Sequence, residues 1–122
     1  MSTRILVVED WADNQRILHD LLRRVGYEIL EAVTGDERVT LATTQHPDLI
    51  LMDIQLPGMD GYEATRRIKT DPELHHIPII AVTSYALSGD DAQAFAAGCD
   101  SYVAKPFSPR ALLAKVREYL PS

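Results

Sequence analysis

Residues 49 to 53 read Leu-Ile-Leu-Met-Asp, a short run of large apolar side chains that ends in a carboxylate. The apolar residues do not alternate with polar ones, so a strand formed here would be buried on both faces. Such strands are typical of parallel sheets with helices packed on each side. The stretch therefore predicts a strand of an α/β domain, with Asp53 at its carboxyl end.

Similar apolar runs recur along the chain and alternate with stretches of helical character. The predicted strands are 5–8, 27–32, 49–52, 79–82 and 102–104, and the predicted helical stretches are 17–25, 36–45, 61–69, 88–98 and 108–120. Successive strand-then-helix units imply parallel strands, right-handed crossovers and helices on both faces. We therefore predict a three-layer, doubly wound α/β domain, because a closed barrel of eight such units needs about twice this length.

Residues at the ends of the predicted helices support these assignments. Gly26 follows the first helix at the position of a left-handed cap. Glu63 and Arg67 are four residues apart and would lie on one face of the third helix. Ser108 followed by Pro109 is typical of an N-cap and the first helical position of the last helix.

Composition and charge exclude several functional classes. The chain has 122 residues, enough for one core, and its formal net charge of −6 disfavours direct binding to nucleic acid. Cys99 is the only cysteine, which excludes an internal disulfide, disfavours a zinc site and fits a reducing compartment. The apolar run near the start is too short for a signal peptide or a membrane span. We therefore predict a soluble, cytoplasmic protein.

Polar side chains follow four of the predicted strands. Glu9 and Asp10 follow the first strand, Asp53 the third, Thr83 the fourth and Lys105 the last. Parallel strands end at one edge of a sheet, and the sites of open α/β folds lie beyond that edge. We therefore expect these five side chains to converge.

The chemistry of this group predicts a metal-dependent phosphoryl site. The carboxylates of Glu9, Asp10 and Asp53 would repel one another unless a cation neutralised them, and carboxylate oxygens are ligands that Mg²⁺ prefers. Lys105 and Thr83 supply a positive charge and a hydroxyl donor, both suited to the oxygens of a transferring phosphoryl group. Because a carboxylate can form an acyl phosphate, Asp53 is the best candidate for the nucleophile.

Several motifs occur together in the chain: Val8-Glu9-Asp10, Met52-Asp53, the turn Leu56-Pro57-Gly58-Met59-Asp60-Gly61, Thr83 and Lys105-Pro106. In this combination they resemble the receiver domain of bacterial two-component response regulators, over nearly the whole chain. The resemblance implies a flavodoxin-like (βα)5 fold with a five-stranded parallel sheet in the order 2-1-3-4-5. It also implies a single receiver domain over residues 1–122, with no effector domain.

The resemblance further implies an acceptor and a metal site. Asp53 would take a phosphoryl group from a phosphohistidine of a sensor histidine kinase or a histidine phosphotransfer protein. The ion would be Mg²⁺, with Mn²⁺ as an alternative. Its ligands would be Glu9, Asp10, Asp53 and the backbone carbonyl of Gln55.

A switch is implied in the same way. Lys105 would bind one phosphoryl oxygen, Thr83 would move to donate to another, and Tyr102 would turn inward when Thr83 moves. The changed surface would be read by a downstream protein target, and the sequence leaves open whether two copies then form a homodimer. The protein would accept a phosphoryl group and dephosphorylate itself, without acting as a turnover enzyme.

Three other functional classes share parts of this pattern. A phosphatase of the haloacid dehalogenase type commonly needs a second Asp two residues after the nucleophile, where Gln55 stands. A flavin or nucleotide binder would place phosphate against Glu9, Asp10 and Trp11, which would repel or block it. A phosphorylation-independent protein-interaction module of the same fold is the remaining alternative.

Overall fold

The described part of the chain contains all five predicted strands and three of the five predicted helices. The computed structural model describes residues 3–8, 12–32, 44–53, 61–83, 98–104 and 108–120. The strands are β1 (Arg4–Val8), β2 (Glu28–Ala32), β3 (Leu49–Asp53), β4 (Ile79–Thr83) and β5 (Ser101–Ala104). The helices in this part of the chain are α1 (Ala12–Arg24), α2 (Gly61–Thr70) and α3 (Pro109–Tyr119).

Two predicted helices lie mostly outside the described residues. Of the stretch 36–45, only Thr44 and Gln45 are described, and both are helical. Of the stretch 88–98, only Gly98 is described. These two helices therefore stay predictions.

The strands form one parallel sheet in the order β2-β1-β3-β4-β5, which confirms the predicted topology. Each face of the sheet carries its own hydrophobic cluster because neighbouring residues of a strand point to opposite faces. In β3, Ile50 and Met52 belong to one cluster, and Leu49 and Leu51 belong to the other. The strand is therefore buried on both sides, as its apolar sequence predicts.

Helices cover both faces and complete the three layers. The first cluster includes Ile68 of α2, and the second includes Leu22 of α1 and Val116 of α3. All three side chains are fully buried. None of the helices in the described part of the chain has the length and apolar character needed to cross a membrane.

Helix α1 uses only part of its apolar sequence to contact the core. Leu18 and Leu22, four residues apart, are buried on one face. Ile17 lies about 100° around the helix from Leu18 and is 50% exposed. Its apolar character therefore does not mark a core position.

The predicted end of α1, the predicted start of α3 and the predicted ion pair on α2 are confirmed. Gly26 has a φ of +98°, the left-handed conformation expected after α1. The Ser108 side chain accepts a hydrogen bond from the Ala111 N–H at 3.2 Å, and proline occupies the start of α3. On α2, the side chains of Glu63 and Arg67 approach to 3.4 Å.

Tyr27 is only 6% exposed, and its hydroxyl has no hydrogen-bond partner among the described residues. A buried hydroxyl without a partner loses its hydration and gains nothing in return. We expect Tyr27→Phe to leave the free energy of unfolding unchanged or to raise it by up to about 1 kcal/mol. Urea unfolding measures this, and a loss of more than about 1 kcal/mol would show that the hydroxyl is bonded in the folded protein.

Cys99 lies just before β5 and is buried. Burial raises the pKa of its thiol from 9.0 to about 11, and it contacts the Thr65 hydroxyl at 3.8 Å. The folded protein therefore holds this proton more tightly than the unfolded chain, so the stabilising contribution exists below pH 9.0 and is lost as the pH rises towards about 11. We expect the free energy of unfolding to fall across this range.

The variant Cys99→Ala separates the thiol from other groups that titrate there. Burial also raises the pKa of Tyr119, which acts in the same direction. Urea unfolding between these pH values should give a shallower decline for Cys99→Ala than for the unchanged protein. Equal slopes would mean that the thiol does not contribute.

Candidate functional site at the carboxyl edge of the sheet

Four adjacent strands end level with one another at one edge of the sheet. Val8 at the end of β1 pairs with Met52, the residue before Asp53. Asp53 at the end of β3 in turn pairs with Val82. Thr83 and Ala104, the last residues of β4 and β5, pair directly. The ends of β1, β3, β4 and β5 therefore differ by no more than one residue from strand to strand.

This register determines where the predicted site residues enter the structure. Asp53 is the last residue of β3, at the middle position of the sheet, and Thr83 is the last residue of β4 beside it. Their backbones are described and their side chains are not. Tyr102 is the second residue of β5, is half-buried, and packs against the hydrophobic cluster that contains Ile50 and Met52.

The remaining predicted site residues lie outside the described part of the chain, each next to the end of a strand. They are Glu9 and Asp10 directly after β1, Gln55 two residues after β3, and Lys105 directly after β5. Because β1 is the neighbour of β3, the strand that precedes the two acidic residues ends beside the strand that ends in Asp53. The described backbone thus brings the ends of the four strands that carry or precede the predicted site residues to one edge.

The donor set at this edge fits Mg²⁺. Glu9, Asp10 and Asp53 offer carboxylate oxygens and Gln55 a backbone carbonyl, all hard oxygen donors of the kind that Mg²⁺ prefers. The described residues contain no group of three or more His, Cys, Asp or Glu side chains placed to hold a metal, and most of the predicted ligands fall outside them. The chemistry of the donors therefore supports the metal prediction.

The opposite edge of the sheet holds a polar cluster that sequence reasoning missed. The Lys69 ammonium lies 2.8 Å from Asp100 Oδ2, 2.8 Å from the carbonyl of Ile77 and 3.2 Å from that of His75. Three N–H donors thus meet three acceptors, which satisfies a largely buried ammonium group. The Lys69 side chain is 16% exposed.

Gly98 lets the Lys69 stem approach this cluster closely. Its φ is +114°, and a Cβ atom there would lie 2.9 Å from Lys69 Cγ. No periodic pattern in the sequence indicates that Asp100 forms such a cluster. The only available signal is its position immediately before a strand, which predicts no particular contact.

Comparison with known proteins identifies the class of protein that this fold and edge define. The sequence model of the response regulator receiver domain matches residues 5–117. The chain therefore belongs to the response regulator receiver domain family, which places it in two-component signalling. This confirms the family that the motifs predict.

Individual relatives agree with this assignment. The chain is 42% identical over 120 residues to the polar-differentiation response regulator DivK of Brucella ovis, covering 98% of each sequence. It is similar to the receiver domain of the sensor histidine kinase PA1611 from Pseudomonas aeruginosa PAO1, with 38% identity, full coverage of both chains and a TM-score of 0.92. That structure contains a magnesium ion in its active site cleft. The chemotaxis response regulator CheY4 of Vibrio cholerae has 25% identity and a TM-score of 0.92, over 98% of this chain and 100% of that one.

Proposed function

We propose that the protein is a phosphoacceptor signalling switch. Asp53 takes a phosphoryl group from a phosphohistidine of a sensor histidine kinase or a histidine phosphotransfer protein, in a reaction that requires Mg²⁺. The observation that supports this most is the level carboxyl edge, where Asp53 ends β3 between the strand that leads into Glu9 and Asp10 and the strand that ends in Thr83. This register supports a single region for the proposed acceptor, metal ligands and phosphoryl ligands.

The proposed transfer is a single displacement at phosphorus. An oxygen of Asp53 forms a bond to phosphorus while the bond from phosphorus to the histidine nitrogen breaks, and the imidazole leaves with that electron pair. Bound Mg²⁺, or Mn²⁺ in its place, would neutralise charge on the phosphoryl oxygens. Lys105 and Thr83 would hold the other oxygens by a positive charge and a hydroxyl hydrogen bond.

Hydrolysis of the resulting acyl phosphate returns Asp53 to its starting state. Water is the other reactant and inorganic phosphate is the product, so each cycle consumes one phosphoryl group supplied by the partner, and the group that is modified and restored is Asp53 itself. In this proposal the chain is a signalling component and not a turnover enzyme.

The phosphoryl group would act on a partner-binding face through Thr83 and Tyr102. The two residues lie on neighbouring strands, since Thr83 pairs with Ala104 and Ala81 pairs with Tyr102. A ring that is only half-buried, as that of Tyr102 is, has room to change its burial. To raise the active form from about 1% to about 99% of the molecules, phosphorylation must favour it over the inactive form by about 5.5 kcal/mol. The protein that binds this face is a downstream protein target in the cytoplasm, or a second copy of the chain.

The proposal is tested by intact mass after incubation with acetyl phosphate. With Mg²⁺ the protein should gain one phosphoryl group, and with excess chelator it should gain none. Magnesium binding can be followed beforehand through the fluorescence of Trp11, the only tryptophan, which follows Asp10 directly in the sequence. If no mass gain occurs where another receiver domain is labelled, the phosphoacceptor proposal fails and the phosphorylation-independent interaction module replaces it.

A further inference from the structure

Two aspartates at the amino edge of the sheet, Asp48 and Asp100, each form a closed ring of two hydrogen bonds with one residue of the neighbouring strand. Asp48, just before β3, donates its backbone N–H to the carbonyl of Arg4 and accepts the Arg4 N–H on its carboxylate, both at 2.8 Å. Asp100, just before β5, does the same with Ile79, again with both distances at 2.8 Å. In each case two hydrogen bonds join an aspartate that precedes one strand to the first residue of the neighbouring strand.

The two rings differ in their position in the sheet. Asp48 joins β1 to β3, and each of these strands has a hydrogen-bonded neighbour on both sides. Asp100 joins β4 to β5, and β5 is an edge strand of 4 residues that pairs only with β4. The register of β5 is therefore fixed by its pairing with β4 alone, whereas β1 and β3 are each paired on both sides.

Asp100 is also held more firmly than Asp48. The Lys69 ammonium bonds its Oδ2 at 2.8 Å, and the Tyr119 hydroxyl donates to its carbonyl at 3.0 Å. These contacts connect the ring to α2 and to α3, and the Lys69 ammonium also bonds the carbonyls of His75 and Ile77 before β4. Asp100 is thus anchored to the body of the domain while it holds the start of β5.

We propose that Asp100 is a positioning residue for phosphoryl transfer, acting through the register of β5. The inference rests on the proposed function, because it concerns the placement of Lys105. That residue follows β5 directly, only five positions after Asp100. A shift of one residue in a strand turns every side chain to the opposite face, and a displacement of about 1 Å can reduce a rate by about a hundredfold. The register set by Asp100 therefore determines where Tyr102 lies and where β5 ends, directly before Lys105 in the sequence.

The test compares Asp100→Ala with Asp48→Ala, which removes the same ring from the centre of the sheet. We expect Asp100→Ala to lower the rate constant for phosphorylation by acetyl phosphate, at saturating Mg²⁺, by at least about tenfold. Asp48→Ala should stay within about twofold of the unchanged protein, because its strands are held from both sides. The dissociation constant for Mg²⁺, read from Trp11 fluorescence, should stay within about twofold in both variants, because the acidic ligands belong to β3 or directly follow β1 in the sequence, and both strands are paired on two sides.

Two further variants separate positioning from loss of stability. The amide oxygen of Asp100→Asn can still accept the Ile79 N–H, so this variant should recover most of the rate constant even though it loses the ion pair with Lys69. Lys69→Met leaves the ring itself in place and should lower the rate less than Asp100→Ala. All rates are measured at a temperature where circular dichroism shows each variant folded, and the two milder variants carry the test if Asp100→Ala does not fold.

Several outcomes would overturn the inference. One is a normal rate constant in folded Asp100→Ala, even with a lower melting temperature, since Asp100 would then serve stability alone. Another is an equal loss in Asp48→Ala, which would remove the special role of the edge strand. The unchanged protein is labelled first, so a failure of the proposed function appears as no labelling at all and is distinct from both of these results.

Discussion

Asp53→Asn is expected to abolish covalent phosphorylation of the protein. An amide has nearly the shape of a carboxylate, but its oxygen is a weak nucleophile and carries no negative charge to attract the metal. The end of β3 should keep its structure, because the strand is held by β1 and β4 on its two sides. Incubation with acetyl phosphate and Mg²⁺, followed by intact mass, should show one phosphoryl group on the unchanged protein and none on the variant.

Asp60→Asn is the matched control for this prediction. Asp60 belongs to the Leu-Pro-Gly-Met-Asp-Gly sequence that predicts a turn, and we assign it no role in catalysis because aspartate is common in turns. The same change of carboxylate to amide at this position should leave the mass gain intact. Labelling of Asp53→Asn to the same extent as the unchanged protein would identify another residue as the acceptor, and loss of labelling in Asp60→Asn would give the turn a part in the chemistry.

Ile50→Ala is expected to produce the largest loss of stability. Ile50 is fully buried in β3, in the cluster between the sheet and α2. Truncation removes its apolar contacts and leaves a cavity that the neighbouring side chains fill only partly. Such changes cost about 2–5 kcal/mol, against a total of about 5–15 kcal/mol for a domain of this kind. Urea unfolding followed by circular dichroism measures the difference in free energy.

Ile17→Ala makes the same chemical change at an exposed position. Ile17 is 50% exposed on α1, so we expect the free energy of unfolding to change by no more than about 0.5 kcal/mol. A large loss at Ile17 would mean that its exposed side chain is covered in solution, for example by a second copy. A small loss at Ile50 would contradict the described core.

Strand and helix positions follow from the sequence because their signals are local. Unbroken apolar runs predict the strands, and the cap residues Gly26 and Ser108 stand at the helix ends that the structure has. The boundaries differ where hydrogen bonding extends beyond the apolar run. Ser101 begins β5 although it is polar, because it pairs with Ile80 and is itself buried. Backbone pairing does not require an apolar side chain, so the run predicts one residue too few.

The sequence names the candidate residues of the site but does not show which of them are neighbours. A carboxylate, a hydroxyl or an ammonium group directly after a buried strand is visible in the sequence, and parallel strands must end at a common edge. Which strands are neighbours is not visible, and the order came from resemblance to a family. The structure adds the register, which puts the end of β3 beside the ends of β1 and β4.

By itself, then, the sequence determined the five strands, the family and the chemical groups of the proposed acceptor site, since all of these are properties of short segments. The tertiary structure decided which apolar residues are core, leaving Ile17 exposed and the Tyr27 hydroxyl buried without a partner among the described residues. It alone decided that Asp48 and Asp100 form equivalent hydrogen-bonded rings, the first between two strands that are paired on both sides and the second at an edge strand that is paired on one side. The physical reason is that such contacts join residues distant in the chain, and they exist only once the strands have paired and the helices have packed.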